Sequence, residues 1–184
     1  MTGVPQTRTV RGVGDRWTVL AKRVGRARLV PFGPSGDRLP ARFAAAADYT
    51  ERPLRVLLDM SFDGTDRVKV DAVMVKRTDG QSVTPEDMTA LQLAQVVRYV
   101  VEEATERGSG VFRRMEIIGP ERTDSPSDEE LRLLARMYWY EYVSWGAPRQ
   151  AVMRGFHVPR STANRWIRKA RELYELPGPH AEGD

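Results

Sequence analysis

The sequence has no cysteine and only two histidines, His157 and His180. The first absence excludes disulfides, thiolate zinc sites and cysteine nucleophiles. The second removes histidine triads and multi-histidine metal centres, leaving His157 a turn residue rather than a metal ligand. No apolar run approaches the roughly 20 residues of a membrane span. The opening residues, MTGVPQTRTVRGVGDRW, lack the apolar stretch of a secretory signal, so a cytoplasmic chain is expected. Lysine is scarce beside arginine, and Asn164 is the only asparagine. That bias is what GC-rich codons give.

What is present fits an ordinary globular chain of 184 residues, 41% hydrophobic and 29% charged. The net charge of +4 is informative only through its placement. The pattern points to an α+β fold. Residues 1–107 form an N-terminal module with a β-hairpin or sheet and a helix. Residues 53–62 and 67–76 read as strands around an Asp63-Gly64 turn. In the second, Val68, Val70, Ala72 and Met74 alternate with Lys69 and Asp71, the period of a half-buried strand. Residues 39–49, LPARFAAAADY, read as a short helix or loop. Residues 16–32 read as one or two further strands. Thr84, Pro85 and Asp87 form the start of one helix running to Arg107, with Met88, Leu91, Val96, Tyr99 and Val100 on its buried face.

Residues 108–127 are rich in Gly, Pro and Ser and read as a linker, with an apolar patch at 115–118. Ser127 and Glu130 then make a capping box before a helix whose core stripe is Leu131, Leu134, Ala135, Tyr138, Tyr142 and Trp145. Trp139 and Tyr140 point elsewhere, towards the N-terminal module or a dimer partner. The aromatic run could stack bases of a single strand, but helical periodicity favours packing. Gly146 and Pro148 close this helix. The C-terminal all-α domain spans 128–176, with a flexible tail at 177–184.

Residues 149–156, RQAVMRGF, form a short helix, His157 and Val158 a turn, and residues 159–173 a longer helix. On the latter, Ala163, Trp166, Ile167 and Ala170 share one stripe. Between Pro148 and Arg171 there are seven basic side chains and no acidic one. A major groove admits one α-helix, and its base edges suit arginine and asparagine. Base-reading candidates are therefore Arg160, Ser161, Asn164 and Arg165, near the helix N-terminus. Phosphate candidates are Arg149, Gln150, Arg168, Lys169 and Arg171.

The stretch AVMRGFHVPRSTANRWIRKARE resembles the helix-turn-helix of many bacterial DNA-binding proteins, commonly of the form AVAERLGVSRSTASRWIRRARE. Ala151, Val152, Phe156 and Val158 match its core positions, and residues 160–172 its recognition helix. Two positions depart: His157 stands where the turn glycine belongs, and Pro159 where a serine N-cap belongs. Histidine enters the left-handed region more readily than most residues, so the turn is weakened by about 1 kcal/mol and kept. Proteins that look like this occur on chromosomes, plasmids and prophages of high-GC bacteria.

The resemblance implies a double-stranded DNA-binding protein of the nucleoid, a transcriptional regulator. An alternative is an accessory factor of a phage or plasmid, in recombination, partition, replication or small-terminase-like packaging. Another is a protein-interaction module with a basic docking helix. A lone unit of this kind reads few base pairs, so a homodimer is expected, with residues 1–107 as pairing or effector domain. No nucleophile–base pair or phosphate loop is visible: RGVGD and GSG lack the full pattern. Asp59, Asp63, Asp66 and Asp71 fit turns and a solvated strand face better than a metal site. No catalytic residue, metal or cofactor is expected.

Overall fold

A computed structural model describes residues 10–11, 16–105 and 125–178. The mixed α+β class is as the sequence indicates. The elements are β1 (Val10–Arg11), β2 (Trp17–Arg23), β3 (Leu29–Phe32), β4 (Asp37–Pro40), β5 (Arg42–Tyr49), β6 (Leu54–Ser61) and β7 (Lys69–Arg77), then α1 (Pro85–Ala90), α2 (Leu93–Ala104), α3 (Asp128–Val143), α4 (Pro148–Gly155) and α5 (Arg160–Tyr174). They group into two compact units.

The first unit is an antiparallel sheet in the order β1-β2-β5-β6-β7, with α2 packed on β2 and β5. Strands β3 and β4 form a separate two-stranded ribbon. One sheet face is buried through Trp17 and Val19 of β2, Phe43, Ala45 and Ala47 of β5, and Leu54, Val56, Leu58 and Met60 of β6. From α2 it receives Val96, Val97, Val100 and Val101, all 0% exposed.

Three expectations change here. The alanine-rich stretch is a strand, β5, paired on both sides. Alanine favours helix as an isolated residue, but Phe43, Ala45, Ala47 and Tyr49 alternate inward, and burial between two neighbours outweighs propensity. The single helix expected over 85–107 breaks at Leu91–Gln92 into α1 and α2. The break resets the helical phase and leaves Met88 50% exposed, off the buried face. In β7 the strand register slips between Asp59 and Met60, where Val70 and Ala72 face consecutive partners and Asp71 is the extra residue. That bulge turns Ala72 and Met74 outward and puts Val73 and Val75 on the side of Leu58 and Val56.

Thr84 caps α1 and Asp87 reciprocates, completing the expected box. Asp87 is buried and also receives Arg77 at 3.1 Å and Arg52 at 3.5 Å. The Thr84 N–H, foremost, and Arg77 hold its carboxyl below the usual carboxylate value.

The second unit gathers α3, α4 and α5 with two short pieces of the N-terminal half, Pro31–Arg38 and Gly64–Arg67. Ser127 and Glu130 form the expected capping box of α3. Leu131, Leu134, Ala135, Tyr138, Tyr142 and Val143 are buried. Trp145 is not a core residue: α3 ends at Val143, and Trp145 is half-exposed with φ 62°. Trp139 is instead buried, stacked on Tyr142 at 6.3 Å, with Gly33 against its indole. Tyr140 meets Phe32 edge-on at 6.4 Å. Gly33 has φ 71° and no room for a Cβ beside Trp139, so two constraints select glycine there. Buried Asp37 receives Arg136 at 3.5 Å.

The expected linker falls mostly on 106–124, including the apolar patch at 115–118, and lies outside the described residues, as do 179–184 of the expected tail. The start of that tail is held: Tyr138 donates its hydroxyl to the Pro177 carbonyl at 3.0 Å, beside buried Leu176.

Candidate nucleic-acid interface

The segment that carries the resemblance folds as two helices, α4 and α5, joined by residues 156–159. Pro148 occupies the first turn of α4, where its missing N–H costs nothing. Phe156 and Val158 are buried, and Phe156 packs edge-on against Trp166 at 5.7 Å. His157 stands between them, exposed, with φ 51°, the left-handed conformation expected at that position. Pro159 is the residue before α5, extended at φ −67° and ψ 161°, so the helix proper starts at Arg160. A Cβ at Gly155 would meet only the flexible end of Met137, which can shift aside.

The core stripe of α5 is as expected: Ala163, Trp166, Ile167 and Ala170 are 8% exposed or less. The arc opposite carries Ser161, Asn164, Arg165, Arg168 and Glu172, flanked by Arg160 and Lys169, all exposed. The four base-reading candidates thus lie together on the N-terminal half of α5. None of Arg160, Arg165, Arg168 or Lys169 has an ion pair among the described residues.

The helix ends differ electrostatically. The first turn of α3 holds Asp128, Glu129 and Glu130 and is side-chain capped. The first turns of α4 and α5 hold no acid, and no side chain caps them. Their amide groups and the positive end of each helix dipole remain open to an anion. Gln150 is exposed and Arg149 half-exposed at the start of α4. Arg171 departs from the others in the phosphate set. It is half-buried, its Nε is enclosed without a hydrogen-bond partner, and its guanidinium lies beside Gly178.

A cleft of about 330 Å³ runs along α5, with Ser125 and Pro126 on one side and Arg165, Arg168, Lys169 and Glu172 on the other. Glu172 is the acidic end of the basic arc, seven residues after Arg165. That spacing was visible in the sequence; the proximity of Ser125 and Pro126 was not. Among the described residues no group of three or more His, Asp or Glu side chains could hold a metal, and no helix is long and apolar enough to cross a membrane.

No protein-family model matches the chain, and neither a curated protein nor a solved structure shows significant similarity to it.

Proposed function

We propose that the protein binds double-stranded DNA with sequence preference through α5, as a transcriptional regulator. The reading rests on one observation: an exposed face of α5 carrying Arg160, Arg165, Arg168 and Lys169, with no ion pair to any of them among the described residues, on a helix pair whose first turns hold no acid. Such a face costs self-repulsion unless a polyanion neutralises it. A solvated surface helix gains nothing from excluding acids over 24 consecutive positions, 148–171. A polyanion ligand explains that exclusion.

In this reading Arg160, Ser161, Asn164 and Arg165 reach base edges. Asn164 pairs with adenine and the arginines with guanine. Arg168 and Lys169 meet the flanking phosphates, and Arg149 and Gln150 a phosphate at the α4 end. Arg171 contributes through packing more than through phosphate contact. A unit of this size reads few base pairs, so pairing of two copies on a two-fold site supplies the rest of the specificity.

The test is selection from random duplexes, followed by titrations at two salt concentrations with wild type, Asn164→Ala and Arg168→Ala. A motif should emerge. Asn164→Ala should relax one base position at a cost of about 1–3 kcal/mol. Arg168→Ala should weaken all sequences alike and lower the salt slope by about 1. No motif, with both changes acting only through salt-dependent affinity, refutes base reading and leaves a non-specific clamp or a protein-docking helix.

A further inference from the structure

The outward face of the sheet in the first unit is apolar along one row that crosses four strands. The strand registers align Leu20, Ala46, Leu57 and Met74 side by side on β2, β5, β6 and β7. Leu20 is 41% and Met74 60% exposed. The next row on one side is Thr18, Asp48, Arg55 and Lys76, and on the other Lys22, Ala44, Asp59 and Ala72. An apolar strip exposed at both ends and half-buried at Ala46 and Leu57, with a polar and charged row on one side, is the form of an association surface.

The strip is complementary to itself. Consider a two-fold axis along the strands, midway between β5 and β6, with two sheets facing. β2 then meets the partner's β7, and β5 the partner's β6. Leu20 packs on Met74, and the small Ala46 receives the larger Leu57. Asp48 meets Arg55 of the second copy, and Arg55 its Asp48. Within one copy Arg55 already grips Asp48 through two contacts, one of them 2.8 Å. Pairing therefore assembles a four-charge square of alternating sign beside the apolar row. Strands parallel to the axis also give the aligned sheet packing that sandwiches adopt.

We infer that this face is the homodimer interface, its occupant a second copy of the same sheet. The inference deepens the DNA-binding reading by supplying its two-fold partner, yet its test needs no DNA. At a strand spacing of about 4.8 Å and three rows, the planar contact is roughly 400 Å² per copy. That is small for a specific interface, so a micromolar, concentration-dependent dimer is expected.

The experiment is sedimentation equilibrium of the full chain across the micromolar range. The mass should rise with concentration from 20.8 kDa towards twice that value. Leu57→Glu should hold it at the monomer value with an unchanged far-ultraviolet spectrum. Asp48→Arg and Arg55→Asp place like charges face to face, and each should weaken self-association about tenfold or more. Mixed together, the two variants should recover a heterodimer, because each then opposes the other's charges. A monomer at every concentration overturns the inference. So does a dimer that Leu57→Glu leaves intact, or a mixture of the charge variants that fails to associate. DNA binding with a normal motif alongside any of these results would leave the function standing and remove only this interface.

Discussion

Tyr142 donates its phenolic hydrogen to Asp66 at 3.0 Å, closing a separation of 76 residues. Arg67 lies over the same ring, 5.6 Å from its centre. One aromatic side chain on α3 thus fixes a loop from the first half of the chain.

Burial, followed by the bond to Asp66 and its charge, pushes the Tyr142 phenol up to about 12 from an ordinary value of 10.0. A raised folded value means that stability is complete below pH 10.0 and is lost as pH rises through about 12. Tyr142→Phe should cost about 1 kcal/mol near neutrality. It should also remove a phenol that titrates well above 10.0 from the absorbance curve at alkaline pH. If the phenol lost on substitution titrates near the ordinary value of 10.0, neither burial nor the bond to Asp66 holds it in solution.

His157 occupies a left-handed conformation that glycine adopts freely. His157→Gly should raise stability by up to about 1 kcal/mol, and His157→Val should lower it by 1 kcal/mol or more, about. Thermal melting of the three proteins measures both. If DNA affinity at low temperature stays within a factor of two or so across them, the turn serves folding alone.

Asp87 joins the α1 cap to Arg77 and Arg52. Thr84→Ala should cost about 1 kcal/mol as a lost cap. Asp87→Ala should lower the melting temperature further, because Arg77 and Arg52 also lose a partner. Asp79, bonded chiefly to Arg77, is lowered to about 2 from 3.8, and Asp87 is lowered as well. Their contribution is therefore complete above pH 3.8 and fades as pH falls through the lower folded values. The difference in melting temperature between wild type and Asp87→Ala should shrink over that range. A constant difference would mean that charge plays no part.

Glu172 ends the basic arc on the side of the cleft. Glu172→Gln should tighten binding to every duplex about two- to fivefold at low salt, with no change in the selected motif, since it removes repulsion without touching base edges. Fluorescence anisotropy at two ionic strengths reads this directly. Weaker binding would place Glu172 in contact with a donor on the DNA.

Much of the architecture is legible in the sequence, and the parts that are not have physical reasons. Capping boxes at Thr84 and Ser127 name helix starts because backbone amides need those side chains. The α5 stripe is periodic and uninterrupted, so its core and its exposed arc follow from spacing alone. Strand β5 was hidden because four successive alanines erase the contrast between its faces. The bulge at Asp71 was hidden for another reason. A bulge is a property of two paired strands, and the sequence of one does not announce it. Likewise, nothing local says that Trp139 needs Gly33, a long-range steric fit.

The second unit draws on three separated stretches, and this sets an order of events during synthesis. Phe32, Asp37 and Asp66 leave the ribosome long before the helix that receives them. Until α3 emerges, the loops that bear them have no surface to settle on. Cut out alone, the helices would lose the contacts they make with Phe32, Asp37 and Asp66. A fragment beginning at Ser125 would expose Trp139 and Tyr140 to water and leave Arg136 without Asp37. The late-made half of the protein is finished by the early-made half, and a nascent chain halted between them carries unfilled contacts that invite chaperones.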